Sequence, residues 1–189
     1  KKKIGAIIYF NDKKMNNIII CDPRYLTRVM ASIVTLRHNY AKDGILRHRH
    51  LAFIWKELEF RNCRPLLLSL LQHFEVVFTI TSERSLVPSL LPSEPPSNFN
   101  SEWNSNPEKG KLNLDRIYEF PFVAVGFFGR IIIRIQKALG VLTLTSPYTR
   151  AVWGNGMVIE KKKEKMLLKL VNGNLLTVGY RGDKNNKTV

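Results

Sequence analysis

Residues 116–135 read RIYEFPFVAVGFFGRIIIRI, an apolar segment with arginines spaced through it. From Phe128 onward the apolar residues recur at steps of three and four, which predicts a helix with one apolar face. That face is expected to contain Phe128, Ile131, Ile132, Ile135 and Leu139, and a separate face Arg130, Arg134 and Lys137. The segment therefore predicts a strand over 116–121 and then a long amphipathic helix that packs on a core.

The same segment has to be weighed as a membrane span. A spanning helix needs about 20 apolar residues, and a central arginine costs about 2.5 kcal/mol or more. The longest stretch without a charge is ten residues, 120–129. We therefore expect no membrane span. Gly126 and Gly129 are instead expected to let the helix approach another backbone closely.

The composition is that of a globular and strongly basic protein. The 189 residues are 44% hydrophobic, and 30 Lys and Arg against 15 Asp and Glu give a formal charge of +15. This charge favours an anionic partner or an acidic protein surface, although scattered lysines that only keep the surface solvated explain it equally well. Two cysteines without a CxxC motif or a secretory signal indicate no disulfide framework and a cytoplasmic location. The chain starts with Lys and ends in DKNNKTV, so we expect a segment of a longer protein.

The N-terminal half shows two short apolar runs, three helices and two further strands. The first helix is predicted to start at Pro23 behind a capping Asp22, and the third at Pro65. Residues 4–10 and 17–21 are expected to form a hairpin or a pair of edge strands. The other expected limits are helices from 23, over 48–59 and from 65, a strand over 76–81, a turn at 82–85 and a returning strand at 86–88. Three helices followed by a two-stranded flap are the outline of a winged helix.

A stretch rich in Pro, Ser and Asn divides the chain, because it is too polar to bury much apolar surface. We place a winged-helix-like domain at 1–96, a linker at 97–111 and a second domain at 112–189. Beyond the long helix, three runs predict an antiparallel meander with a hairpin turn at Asn172 and Gly173. These runs are RAVWGNGMVIE, KMLLKLV and LLTVGYR. The predicted fold class is α+β.

No pattern of catalytic, metal-binding or cofactor-binding residues stands out. The four histidines, His38, His48, His50 and His73, form no HxxxH or HExxH pair, and such a pair is what places two ring nitrogens on one helix face. The tail GDKNNKT lacks the second glycine of a P-loop, and GFFG is predicted inside a helix rather than at a nucleotide site. We therefore expect no enzyme activity and no cofactor in this segment.

Nucleic-acid binding is the alternative function, since winged helices are common duplex readers. Five arginines, Arg47, Arg49, Arg61, Arg64 and Arg84, are candidates for phosphate contacts. The predicted helix at 48–59 offers few of the Asn, Gln or Arg residues that read base edges. Nucleic-acid binding therefore ranks second to a protein-binding role.

Several motifs, taken in order, resemble the COR region of Roco proteins, the segment C-terminal to their Ras-like Roc GTPase. They are IGAIIYF, IIICDPRYLTRVMASIVTLRH, GILRHRHLAFIW, LLLSLLQHFEVVF, SLVPSLLP, RIYEFPFVAVGFFGRIIIRI and VWGNGMVIE. The resemblance covers most of the chain and implies the C-terminal, winged-helix-like part of a COR-A subdomain at 1–96 and a COR-B subdomain at 112–189. It also implies a non-catalytic scaffold beside a Roc domain that binds GTP or GDP with Mg, in parents that often carry leucine-rich repeats and a Ser/Thr kinase.

The partners are also implied by the resemblance. In that family COR-A packs on the Roc GTPase, whereas COR-B takes part in dimerisation and touches the kinase where one is present. A Roc domain, a kinase or other effector domain, and a second copy of the protein are thus the expected partners. The linker is longer than a compact COR needs, and COR-B is expected to continue past residue 189, so we predict that it is incomplete in this chain.

Two groups of residues are predicted to face partners. The first is Arg84, Ser85, Leu86 and Val87 in the flap, which the resemblance places near the GTPase. Leu86 and Val87 are equally explained as ordinary strand residues. The second group is the basic helix face of Arg130, Arg134 and Lys137, because guanidinium groups suit acidic surfaces. Solvated arginines that keep an apolar helix soluble remain the alternative for that face.

Overall fold

The computed structural model describes residues 7–10, 15, 18–35, 40–57, 61–97, 99, 111–139, 149–162 and 164–183. The chain divides into two compact units, Lys1–Val87 and Pro88–Val189. Each unit combines helix with antiparallel sheet, so the predicted α+β class is confirmed. The domain limits 1–96, 97–111 and 112–189 stay predictions.

The first unit opens with two very short strands, β1 (Ile8–Tyr9) and β2 (Ile19–Ile20), which pair antiparallel as predicted. Helix α1 then spans Pro23–Val34. The Asp22 carboxylate accepts a hydrogen bond from the Arg24 backbone N–H at 3.0 Å, which satisfies one of the amides left open at a helix start. The predicted cap is therefore confirmed.

A four-stranded sheet follows in the order β3-β4-β6-β5. Its strands are β3 (Ala41–Lys42), β4 (Ile45–Arg47), β5 (Phe78–Thr81) and β6 (Arg84–Leu86). The hairpin of β5 and β6 is the flap that the sequence predicts, with its turn at Ser82 and Glu83. Strand β6 lies inside the sheet and pairs on both sides, with β4 and with β5.

The second predicted helix is much shorter than expected. A 3₁₀ turn at His48–His50 leads into helix α2, which covers only Leu51–Ile54. Trp55 has φ −106° and ψ 51°, which ends the helix. The rest of the predicted helix falls partly on residues 58–60, which lie outside the described residues.

The third helix agrees with the prediction, and it contributes to the core of the first unit. Helix α3 spans Arg64–His73 and carries its proline in the first turn, where no amide partner is lost. Fully buried side chains from the helices and the α2 turn include Val29, Ile33, Trp55 and Leu71. The Trp55 indole N–H donates to Ser32 Oγ at 2.8 Å, so its polar atom is satisfied inside the core.

The second unit is built on a five-stranded antiparallel sheet in the order β7-β11-β10-β9-β8. The strands are β7 (Lys111–Glu119), β8 (Thr149–Trp153), β9 (Gly156–Lys161), β10 (Glu164–Val171) and β11 (Leu175–Asp183). The turn between β10 and β11 has φ 52° at Asn172 and 77° at Gly173, which confirms the predicted hairpin. The run RAVWGNGMVIE, predicted as one strand, instead folds back on itself as β8 and β9.

Helix α4 spans Phe127–Leu139 and packs against the turn at Pro88–Leu90. A Cβ on Gly129 would lie 3.1 Å from the Pro88 Cβ, so the helix lies close to a proline side chain there rather than to another backbone. The predicted close approach is wrong for Gly126, which has open space around it and adopts φ 80° just before the helix begins.

The buried face of helix α4 is rotated from the predicted one. Its buried residues are Phe128, Ile132, Ile133 and Gln136, whereas Ile131, Ile135 and Leu139 are only half-buried. Hydrophobicity alone misses Gln136, because a polar side chain is not expected at a position that is fully enclosed.

One residue of the predicted linker also belongs to a core. Phe99 is buried, and its ring centroid lies 4.9 Å from that of the buried Trp153 in β8. The Gly154 N–H in the β8–β9 turn donates to the Pro92 carbonyl at 2.7 Å. This part of the Pro- and Ser-rich stretch is therefore held against the second unit.

Candidate functional site

The first candidate site is a cleft of about 480 Å³ beside the flap. Six residues line it: Arg47, His48, Arg49, Ser82, Glu83 and Arg84. They come from the end of β4, the 3₁₀ turn and the flap turn, all within the first unit. We call this group the flap cleft. Three guanidinium groups and one carboxylate give it an excess of positive charge.

The sheet register places two of these arginines side by side. Arg47 in β4 pairs with Arg84 in β6. The N–H of His48 donates to the Glu83 carbonyl at 2.8 Å, which makes the Arg47–Arg84 pair one of the closely spaced pairs without mutual hydrogen bonds. Their side chains project from the same face of the sheet, and like charges directly opposite each other destabilise a sheet.

His48 joins the two sides of the cleft. Its Nδ1 lies 2.7 Å from the Ser82 carbonyl oxygen, which only accepts, so Nδ1 carries a proton and donates. Its Nε2 lies 2.7 Å from Ser85 Oγ. Both contacts reach the flap, so the imidazole fixes the arginine at the end of β4 relative to the flap turn.

The contact of His48 continues inward as a chain of side-chain hydrogen bonds. Ser85 Oγ lies 3.3 Å from Thr79 Oγ1, and Gln72 Nε2 donates to the same Thr79 oxygen. Ser85 is fully buried. These hydrogen bonds therefore satisfy a buried hydroxyl and connect helix α3 to His48 in the flap cleft.

The four flap residues predicted to face a partner do not share one environment. Arg84 is exposed, whereas Ser85, Leu86 and Val87 are buried. Leu86 lies within the sheet, where it pairs with Ile45 in β4 on one side and with Phe78 in β5 on the other. Of these four residues only Arg84 is at the surface, and the side chains of Leu86 and Val87 are enclosed.

The second candidate site is the outer face of helix α4. Arg130, Arg134 and Lys137 are all exposed, and we call them the basic ridge. The inner face of the same helix is apolar apart from Gln136. The separation of the two faces agrees with the sequence, but whether the ridge meets a partner stays a prediction.

Two observations bear on catalysis and membranes. Among the residues that the structure describes, no group of three or more His, Cys, Asp or Glu side chains is placed to hold a metal ion. No helix in the same residues has both the length and the apolarity that crossing a bilayer requires.

The resolved shifts in pKa lie away from both candidate sites. Hydrogen bonds from the side chain and backbone of Arg24 lower the pKa of the exposed Asp22 carboxyl at the start of α1. The same pairing raises the pKa of Arg24. These shifts belong to a helix cap and do not indicate a reacting group.

The residue that sequence reasoning missed is His48. The sequence places it beside His50 at a helix start, and the spacing alone favours a solvated or packed histidine. Its role depends on Ser82 and Ser85, more than thirty positions away. The two serines in SERS at the flap turn are the local signal, but the pairing needs the sheet register.

Comparisons with known proteins identify the family of the chain. The family model for the C-terminal of Roc, COR-A domain, matches residues 2–91. The probable serine/threonine-protein kinase pats1 of Dictyostelium discoideum is 33% identical over 197 residues, which cover 99% of this chain and 6% of that protein. The probable serine/threonine-protein kinase roco11 of the same organism is 33% identical over 168 residues, covering 83% of this chain and 11% of that protein.

One solved structure is also similar to part of the chain. It is the Methanosarcina barkeri Roco2 RocCORdC bound to GDP, with a TM-score of 0.39, 24% identity, and coverage of 45% of this chain and 28% of that one. The chain spans only a small part of the curated relatives, 6% of pats1 and 11% of roco11. From the family match at residues 2–91 and these relatives, the chain belongs to the COR domains of Roco proteins.

Proposed function

We propose that this chain is a non-catalytic scaffold that couples an adjacent Roc GTPase domain to dimerisation and to an effector such as a Ser/Thr protein kinase. The observation that carries the proposal is the COR-A match over residues 2–91. It is supported by similarity along 99% of the chain to a protein named as a probable serine/threonine kinase. The GTP or GDP and its Mg belong, in this proposal, to the Roc domain of the parent protein in the cytoplasm.

The architecture fits a scaffold with two working surfaces. We assign the first domain a winged-helix-like COR-A role and residues 112–189 a COR-B role. In the first, Arg84 is the exposed flap residue available to the Roc domain. In the second, the basic ridge is available to an acidic surface of the kinase, another effector or a second copy. Exposed arginines with forked donors are suited to carboxylates on such surfaces.

The first test is the sequence encoded immediately upstream of this chain in its gene. A Ras-like βα pattern with a G-x-x-x-x-G-K-[ST] loop is expected there, because that loop is what wraps the phosphates of GTP. An unrelated domain at that position would contradict the proposal.

The second test is nucleotide-dependent binding. The chain is titrated by calorimetry with that upstream domain, loaded either with GDP or with a non-hydrolysable GTP analogue. Coupling between two sites typically changes affinity about fivefold or more, so we expect affinities that differ by at least that factor. Equal affinities for the two nucleotide states would mean that the chain binds the upstream domain without responding to its nucleotide, which would contradict the proposed coupling.

A further inference from the structure

The flap cleft combines features that a merely solvated surface does not explain. Arg47 and Arg84 are held opposite each other at close range, where their repulsion costs stability. No ion pair with an acidic residue is formed by either guanidinium among the described residues. The sheet therefore bears an electrostatic cost that a bound anion would relieve.

The charge of the cleft matches a particular kind of anion. Arg47, Arg49 and Arg84 against Glu83 leave a formal excess of two positive charges around the cavity. A phosphorylated side chain carries about −1.5 to −2 at neutral pH and presents three acceptor oxygens. A carboxylate carries one charge and has two oxygens, so it satisfies fewer of the available donors.

The cleft is also fixed before anything binds. His48 donates to the Ser82 carbonyl and contacts Ser85 Oγ, both at 2.7 Å. Ser85 is in turn held through Thr79 and Gln72. These contacts fix the position of the flap turn relative to β4. The backbones that carry Arg47 and Arg84 are therefore already in place, and less conformational entropy is lost when a ligand binds.

We propose that the flap cleft binds a phosphorylated side chain presented by a protein segment, with Arg47 and Arg84 gripping the phosphate and His48 acting as a positioning residue. The inference deepens the proposed function, since it names the chemistry of a partner that contacts the flap. The inference rests on the proposed function in one respect, which is that the partner is a protein.

The full 189-residue chain is titrated with a Gly/Ser-rich peptide that contains one phosphoserine. Binding is monitored by NMR of the backbone amides and arginine side chains at constant ionic strength. We expect saturable shifts at the cleft with the phosphopeptide, weaker shifts at the same residues with inorganic phosphate, and none with the unphosphorylated peptide. Arg47→Gln or Arg84→Gln should weaken phosphopeptide binding about tenfold or more, the usual effect of losing a charged hydrogen bond.

Two variants provide controls in opposite directions. Glu83→Gln should tighten phosphopeptide binding, because it removes the one carboxylate in the cleft while leaving the backbone hydrogen bonds of the turn in place. Arg116→Gln removes the same charge from an exposed position on β7 in the second unit and should leave binding unchanged. Thermal unfolding of each variant shows that it folds, and Arg84→Gln should raise the midpoint by relieving the repulsion with Arg47.

The outcomes separate this inference from its rivals. Binding to vesicles containing phosphatidylinositol 4-phosphate without binding to the phosphopeptide would assign the cleft to a membrane and overturn the proposal. Equal loss of phosphopeptide binding in Arg116→Gln and Arg84→Gln would overturn it as well. So would binding of inorganic phosphate without any binding of the phosphopeptide. Nucleotide-dependent binding of a Roc domain in the same samples would leave the scaffold function standing.

Discussion

At the scale of single residues, several positions are set by local chemistry that the sequence already contains. Asp22 caps α1 because its carboxylate reaches the Arg24 amide. Asn172 and Gly173 form a turn because both tolerate positive φ. His48 differs, since its partners are distant in sequence. Residues whose partners lie within a few positions were predicted, and this one was not.

The Asp22 cap leads to a prediction about pH. Hydrogen bonds from Arg24 lower the pKa of this carboxyl in the folded protein, so its contribution is present above the unfolded pKa and is lost as the pH falls through the lowered folded pKa. Asp22→Ala should lower the thermal midpoint at neutral pH and make little difference in strong acid. Asp22→Asn keeps a capping side chain without the charge, and its thermal midpoint at neutral pH should lie between those of the wild-type chain and Asp22→Ala. A pH-independent deficit in Asp22→Ala would contradict the role of the charge.

The glycines of the second unit allow a matched comparison. A Cβ on Gly156 would overlap the indole ring of the buried Trp153, whereas one on Gly173 would meet open space but keep φ 77°. We expect Gly156→Ala to cost at least about 2 kcal/mol of unfolding free energy through overpacking, and Gly173→Ala about 1 kcal/mol through backbone strain. Urea unfolding gives both values, and tryptophan fluorescence should change only in Gly156→Ala. The reverse order would mean that the Trp153 ring moves aside at little cost.

At the scale of elements, the hydrophobic pattern predicts a helix better than it predicts which face is buried. Helix α4 and its exposed Arg130 and Arg134 agree with the sequence. The fully buried positions include Ile133, which steps of three and four from Phe128 do not reach. They also include Gln136, which those steps reach but which is polar. The rotation of the helix is set by what it packs against, and Gly129 lies directly over Pro88 in the preceding 3₁₀ turn.

Gln136 gives a prediction for this helix. Its side chain is fully buried, and within the described part of the chain neither amide atom has a hydrogen-bond partner. Burying an unpaired polar group costs about 1 to 3 kcal/mol, so Gln136→Met, which keeps the volume, should raise the unfolding free energy by about 1 kcal/mol. Gln136→Ala should lower it, because a cavity replaces the side chain. Destabilisation by Met would indicate that the amide is satisfied in solution by water.

The β8–β9 hairpin shows how an element can be divided by contacts outside it. The run RAVWGNGMVIE has the composition of a single strand, but the turn after Trp153 is held by two hydrogen bonds between Asn155 and Leu170. The Asn155 carbonyl accepts from the Leu170 N–H at 2.8 Å, and the Asn155 side chain donates to the Leu170 carbonyl at 3.2 Å. Leu170 lies in β10, so this turn depends on a strand that comes later in the sequence.

At the scale of the whole molecule, the formal charge of +15 does not by itself indicate where a partner binds, and the positions of the basic residues carry that information. Arg130, Arg134 and Lys137 lie together on one exposed helix face in the second unit. Arg47, Arg49 and Arg84 line one cleft in the first. These two surfaces are the ones that acidic or phosphorylated partners would contact under the proposals made above.

The basic ridge can be tested by charge reversal in the chain, with binding measured to each of the partners proposed above. Arg130→Glu with Arg134→Glu should leave the thermal midpoint almost unchanged, because both side chains are exposed, but should weaken partner binding and reduce its salt dependence. Arg116→Glu changes charge on β7 instead and serves as the control. If Arg116→Glu alters binding as much as Arg130→Glu alone does, only the overall charge matters and the ridge is simply a solvated surface.

The sequence by itself determined the α+β class, the capped helix α1, the proline start of α3, the flap and the Asn172–Gly173 turn, since each depends on the side chains of neighbouring residues. Its ordered motifs also pointed to the COR family, which the comparisons confirmed. The burial of Ser85, Leu86 and Val87, the opposed Arg47 and Arg84, and the place of Phe99 against Trp153 were decided only by the tertiary structure. They depend on strand order, register and packing between distant segments, and those are fixed when the whole chain folds.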